Sequence, residues 1–269
     1  MIFKILKYFF LILLGLIILI AIIATPLIIK ARNEGDRMYE KYDSYTRETL
    51  AQHFQLKPYP VKQEYQTVHP WKALKLLKFV ITSKEAERFK RVNTLDATIG
   101  LFMKMYTLFI LPNYNYNLPM LSVDIIFIGG KRVFVIEIID PARIKDENLE
   151  THYEKMRIWK PKVDSLEKME VDMEWAENAV TDFSIHRRAD RTNDELLFEI
   201  YKYYLNTYIE MAKNAEPVSP GLSQKVQQGM EWYVTTLLAK GGPAVNVFKT
   251  LLGPEKQKEY VRTVMFGVD

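Results

Sequence analysis

The chain has 269 residues, no cysteine and a formal net charge of +4. The missing thiols exclude disulfides, thiolate metal sites, cysteine-ligated iron–sulfur clusters and cysteine nucleophiles. So small a basic excess is compatible with an acidic partner or an anionic membrane surface, is met more often as plain solubility, and implies no nucleic-acid partner.

The first element is the most informative. Lys4 and Lys7 precede an uncharged run over residues 9–29, FFLILLGLIILIAIIATPLII. At ~1.5 Å rise per residue, about 20 apolar residues cross a hydrocarbon core ~30 Å thick. An interfacial helix would need a polar face, which this run lacks. A cleaved secretory signal would have a shorter apolar core and a small-x-small site, and Ala21-Ile22-Ile23-Ala24 is a poor one. The sequence therefore predicts a retained single-pass membrane anchor over residues 1–34, with Pro26 in its last turn. Lys30, Arg32, Arg37 and Lys41 behind the run outnumber Lys4 and Lys7 before it, which favours a cytoplasmic globular part.

Residues 35–54 are charged and helical in pattern and read as a stalk. Residues 55–70, with Pro58, Pro60 and Pro70, read as an extended connector. Neither a linker-like composition nor an internal repeat divides residues 71–269, which are expected to form one domain. Its first half has the period of strands over 73–82, 89–97, 102–111, 120–128 and 132–139, with Gly129-Gly130 as a two-residue hairpin turn. Five strands without intervening helices predict a mostly antiparallel sheet. In the second half, Thr192-Asn193-Asp194-Glu195 reads as a capping box opening a helix to about Lys213. Further helices are expected over about 222–240, 243–252 and 254–266, with prolines near their starts and glycines near their ends. Strands first and helices afterwards predict an α+β fold, with helices covering the sheet.

Asp124 is the leading candidate for chemistry. It lies in Leu121-Ser122-Val123-Asp124-Ile125-Ile126-Phe127-Ile128, where a carboxylate costs several kcal/mol unless it is paired, hydrogen-bonded or protonated. A two-residue turn at Gly129-Gly130 pairs Asp124 with Val135 and Ser122 with Glu137. Ser122, Asp124 and Glu137 then share one sheet face within diagonal reach. Two carboxylates in an apolar layer raise at least one pKa, as a proton donor at neutral pH requires. A buried salt bridge to a covering helix is the competing reading. His53, His69, His152 and His186 show no metal-ligand spacing, and no HExxH, Walker A, GxGxxG or GxSxG motif occurs. Arg187 and Arg188, near the end of an apolar-alternating stretch, could clamp carboxylates or phosphates. Tyr116, with Tyr106 and Tyr114, could line a flat ligand or fill the core.

The segment Leu111-Pro112-Asn113-Tyr114-Asn115-Tyr116-Asn117-Leu118-Pro119-Met120-Leu121-Ser122-Val123-Asp124 resembles the central signature of the ferredoxin-dependent bilin reductases. That signature is a proline after an apolar strand, a short loop, Leu-Pro and a strand bearing a catalytic aspartate. Tyr233, Gly242-Pro243-Ala244, Leu252-Gly253-Pro254-Glu255 and Val264-Met265-Phe266 resemble the family's closing pattern. Phe89-Lys90-Arg91 resembles the basic stretch that opens an earlier strand. The likeness covers about residues 70–269.

The resemblance implies a three-layer α/β/α sandwich that holds a linear tetrapyrrole, typically biliverdin, between the sheet and the C-terminal helices. It also implies single electrons from ferredoxin or flavodoxin, protons from side chains, and no tightly bound cofactor. Asp124 matches the proton-donating aspartate, with Glu137 as a second candidate, and Arg187 matches an arginine that holds a propionate. Asn93, Thr107 and Tyr116 complete the candidate substrate-binding set. The chain departs from the pattern at Leu95, where phycocyanobilin-forming members have a catalytic glutamate. It departs again at Thr107, where phycocyanobilin-forming members have a histidine, and at Gly242, where a second aspartate is usual. The expected function is ferredoxin-driven reduction of a bilin by radical chemistry. The alternative is a membrane-anchored bilin or haem binding protein without turnover.

Overall fold

The computed structural model describes residues 2–70, 76–171 and 174–268; within these, the side chains of residues 2–12, 15, 17, 18, 20, 21, 243 and 244 lie outside the description. A long helix, α1 (Ile2–His53), leads into β1 (Lys57–Pro58), a short α2 (Gln63–Gln66) and β2 (Thr67–Val68). Five long strands follow: β3 (Leu77–Glu85), β4 (Phe89–Ile99), β5 (Met103–Pro112), β6 (Met120–Ile128) and β7 (Lys131–Ile139). After them come α3 (Glu147–Arg157), α4 (Lys160–Asp164), β8 (Glu167–Lys168) and β9 (Ile185–Asp190). The chain closes with α5 (Asp194–Asn214), α6 (Pro220–Lys240), α7 (Pro243–Leu252), α8 (Pro254–Glu259) and a π-helical turn, Tyr260–Met265.

The strands form one nine-stranded sheet, ordered β1-β3-β4-β5-β6-β7-β9-β8 with β2 also against β3, and every pairing is antiparallel. Alternation along each strand divides the core in two. The outer face, with Tyr106, Leu108, Val123, Ile125 and Phe134, packs against α1, α3 and α5. The inner face, with Phe79, Leu95, Phe109 and Met120, packs against α6, α7 and the C-terminal turn. The predicted sandwich is thus present. The β6–β7 hairpin has the predicted register, with Gly129 at φ +55 supplying a turn conformation that L-residues rarely adopt.

Four expectations are corrected. Residues 35–54 are not a stalk. Met38, Tyr42 and Leu50 of α1 are buried in the outer core, because their spacing makes an apolar stripe among the charges. The helix is also tied polar-to-polar: Thr46 bonds the hydroxyls of Tyr106 and Tyr201, and Arg132 holds Glu34 at 2.7 Å. The 55–70 connector contributes β1 and β2 to the sheet edge and buries Tyr65, so the boundary at residue 70 does not separate two bodies. The capping box is formed by Asp190 and Asn193, which close a short 3-10 turn ahead of α5, instead of by Thr192 and Glu195. The strand predicted over 73–82 is seen from Leu77, and residues 71–75 lie outside the described residues.

The predicted anchor falls largely on side chains outside the description. Among the described residues, no helix is long and apolar enough to cross a membrane. Of the side chains described there, Leu13, Leu14, Leu16, Leu19, Ile22, Ile23, Leu27 and Ile29 are exposed and lie on all sides of α1, while Ala24 and Ile28 are half-buried.

Candidate active site

Antiparallel pairing sets residues side by side across the inner face. One row reads Leu95, Thr107, Asp124, Val135, His186, and the next reads Asn93, Phe109, Ser122, Glu137. The two candidate carboxylates are therefore diagonal neighbours, as the hairpin register predicts. The Thr107 hydroxyl donates to Asp124 Oδ1. His186 Nε2 sits 2.9 Å from Glu137 Oε1, within hydrogen-bond distance. Tyr233, from α6, is buried above them.

The electrostatics follow from what is missing around Asp124. Among the described residues no lysine or arginine is in ion-pair contact with it, so the competing salt-bridge reading fails. Some of the carboxyl still meets solvent, yet protein crowds it closely. Burial, with a smaller push from the Glu137 charge, lifts the carboxyl to about 6, and the Thr107 hydrogen bond offsets only part of that rise. The Tyr233 hydroxyl is raised well above its ordinary range by burial, then by the Glu137 and Asp124 charges, which places it in the field of both. The site thus holds a carboxyl that carries a proton close to neutrality, beside a hydrogen-bonded Glu–His pair.

The cover over this face is incomplete. Ala97, Leu95, Phe109 and Met120 are buried, but Leu77, Ile99, Met105, Asp124, Ile126, Val133 and Val135 are only half-buried. At the β7–β9 edge a groove of about 1120 Å³ is lined by Glu137, Ser184 and His186 together with the 176–182 loop. An apolar floor, wide enough for a flat ligand and bearing its protonatable groups near one edge, is what this arrangement offers.

The remaining candidates are distributed differently. Thr107 is in the row, as Asp124's hydrogen-bond donor. Asn93 is on the inner face, but its amide donates to the carbonyls of Val264 and Met265 at 2.9 Å each, tying the C-terminal turn to β4. Tyr116 is away from the site. It belongs to the outer core, with its hydroxyl 3.0 Å from Glu87, so it is core filling. Arg187 faces the other side of the sheet, although it also lines the rim of the same groove. It pairs with Phe134 of the outer face, and its guanidinium bonds Val163 O and Asp164. Alternation gives the inner face to His186 and Arg188 instead. His186 is the residue that sequence reasoning missed. It stands out only once β9 is known to pair with β7, because that register alone sets it beside Glu137.

Fold and site together define a three-layer α/β/α sandwich with a protonatable carboxyl on the inner face of its sheet. The chain belongs to the ferredoxin-dependent bilin reductase family, whose sequence profile matches residues 43–267. It is 20% identical over 241 residues to a phycoerythrobilin:ferredoxin oxidoreductase of Gloeobacter violaceus, covering 86% of this chain and 96% of that one. The corresponding enzyme of Synechococcus sp. WH8020 is 24% identical over 231 residues, covering 79% and 87%. Among solved structures, tomato phytochromobilin synthase in complex with biliverdin matches with a TM-score of 0.74 at 16% identity, over 85% of this chain and 83% of that one.

Proposed function

We propose that this protein reduces a linear tetrapyrrole of the biliverdin type, with single electrons supplied by reduced ferredoxin or flavodoxin and protons by its own side chains. The carrying observation is Asp124, a carboxyl raised to about 6 on a half-open apolar sheet face, in a chain of this family. Saturating one double bond takes two electrons and two protons, delivered in alternation through a bilin radical. A donor near pH 6 is matched to that work, since it is part protonated near neutrality and gives its proton up readily. Asp124 protonates the ligand or its radical, and Thr107 fixes the carboxyl's orientation.

The glutamate and histidine that phycocyanobilin-forming members place at the positions resembling 95 and 107 are replaced here by Leu95 and Thr107. Glu137 and His186 lie on the other side of Asp124 and serve as the second proton source. Arg188, exposed on the same face, is placed to meet a propionate at the open edge. The reading needs no tightly bound cofactor. Residues 9–29 hold the protein in a membrane as a single span, with the domain on the cytoplasmic side where ferredoxin is found; the exposed leucines and isoleucines of α1 support this. Protease added outside intact cells should then leave the domain uncut, and its digestion would reverse the topology.

The activity is tested by adding biliverdin to the full-length protein in detergent, followed by a ferredoxin-reducing system without oxygen. The expected result is a shifted bilin spectrum that then bleaches or moves to shorter wavelength as conjugation is lost. A shifted spectrum that never changes under reduction would assign the protein to binding without turnover.

A further inference from the structure

The sheet ends in two hairpin turns on the side from which α1 departs. Along α1, Glu34 lies against Arg132 and Arg191, and Asp36 against Lys104. Further on, Thr46 reaches Tyr106, and Phe54 stacks edge-on against Phe89 at the far end of β4. The helix therefore runs the length of β5 and leaves the domain beside the β4–β5 turn. Arg32 fixes that exit, donating to Leu101 O at 2.9 Å and Gly100 O at 3.3 Å. Only about one helical turn, ~4.5 Å of rise, separates Arg32 from Ile29, where the apolar run ends.

The turn held there is unlike an ordinary one. Connecting turns favour glycine, asparagine, aspartate and serine, whereas this one presents Leu101 and Phe102, 45% and 50% exposed. Single exposed apolar residues are commonplace, but two in succession at a turn pinned to the base of an apolar helix form a contiguous tip. The charge around it is suitable. Lys30 and Arg32 flank the helix exit, and the acidic side chains nearby are already paired: Glu34 with Arg132, Asp36 with Lys104, Asp190 with Lys131. The inner face is open at this same end. Leu77, Ile99, Met105, Ile126 and Val133, toward the β4–β5 and β6–β7 turns, are half-buried, although Phe79 and Ala97 in the row of Met105 are covered.

We infer that the Gly100–Phe102 turn is a second membrane contact, inserting Leu101 and Phe102 among lipid headgroups while Lys30 meets their phosphates. The inference rests on residues 9–29 being the anchor, and it adds what the anchor alone does not fix: the orientation of the domain. With helix and turn both seated, the uncovered rows at the turn end of the inner face lie next to the bilayer surface. An apolar, carboxylate-bearing ligand partitioned into that surface can then reach the sheet without crossing bulk water.

The absence of cysteine in the chain makes the test direct. Single-cysteine variants Phe102→Cys, Ile22→Cys and Glu216→Cys of the full-length protein are labelled with a polarity-sensitive fluorophore. They are then reconstituted into vesicles of phosphatidylcholine and phosphatidylserine, with and without lipids spin-labelled near the headgroup. The label at 102 should emit at shorter wavelength than in water and be quenched about twofold or more by the spin label, as for a side chain seated 5–10 Å into the boundary. The label at 216, at the opposite end of α5, should do neither. An aqueous spectrum at 102 with a lipid-like one at 22 overturns the second contact and leaves the anchor standing. An aqueous spectrum at 22 overturns the anchor and this inference with it.

Discussion

Replacing Asp124 by asparagine separates chemistry from stability, and the two effects are expected to have opposite signs. The folded chain holds the Asp124 proton to about pH 6, whereas an unfolded aspartate releases it near 3.8. Below pH 3.8 both states are protonated and the residue contributes no penalty. Between 3.8 and 6 the unfolded chain ionises first, so stability falls as pH rises; above 6 both are ionised and the penalty is constant. At ~1.4 kcal/mol per tenfold change in proton affinity, the full penalty is about 3 kcal/mol, and residual solvent contact at the half-buried carboxyl reduces it to roughly 1–3. Asparagine keeps an oxygen to accept from Thr107 and never ionises. Asp124→Asn should therefore be more stable than the parent by that amount at pH 8, with a gap that closes toward pH 4, as read by denaturant unfolding at the two pH values. Its turnover should fall ~10²–10⁴-fold, the usual contribution of a general acid, with a one-electron-reduced bilin radical accumulating. A variant destabilised at pH 8 would mean that a cation partner had been stranded, and the proton-donor argument would lose its electrostatic basis.

The other perturbations are simpler. His186→Gln retains a hydrogen bond to Glu137 but cannot deliver a proton; bilin affinity should hold while turnover drops about tenfold or more, measured by single-turnover bleaching. Arg187→Gln should cost no more than ~1 kcal/mol in denaturant unfolding, through the half-exposed Asp164 pair. Arg132→Met should be severe. It strands Asp194 beside a fully buried guanidinium site and leaves Glu34 only its pair with Arg191, and a loss of about 3–5 kcal/mol in denaturant midpoint experiments is expected.

The parts of the fold legible in the sequence were those set by local rules. The Gly129-Gly130 turn fixes the β6–β7 register, so the diagonal of Asp124 and Glu137 follows from two residues. Pro243, Pro254 and the glycines before them mark the starts of α7 and α8 to the residue, while the helix expected to reach 266 ends at Glu259 and continues as the π-helical turn. The helix over residues 35–54 was legible as a helix but not as core, because its apolar stripe of Met38, Tyr42 and Leu50 is interrupted by polar side chains whose partners lie some 60–160 residues away. Arg187 shows the cost of an unknown register. Since side chains alternate, an error of one residue in choosing between Arg187 and Arg188 moves a guanidinium through the whole thickness of the sheet.

The same geometry explains why counting lost motif residues understates the site. Read along the chain, Leu95 and Thr107 are two absences on either side of nothing in particular. Across the sheet they are neighbours of Asp124 in one row, and that row continues through Val135 to His186, with Glu137 in the adjoining row. The protonatable groups are concentrated toward the β7–β9 side, where the groove is open, while on the β4–β5 side the rows carry Leu95 and Phe109 beside the uncharged Asn93 and Thr107. Proton supply from that side requires that a bound bilin present its reacting carbons over β6 and β7. The position of chemistry on the ligand would then be set by which ring lies over Asp124, and the Leu95 side of the floor would be left to grip the ligand without touching its protons.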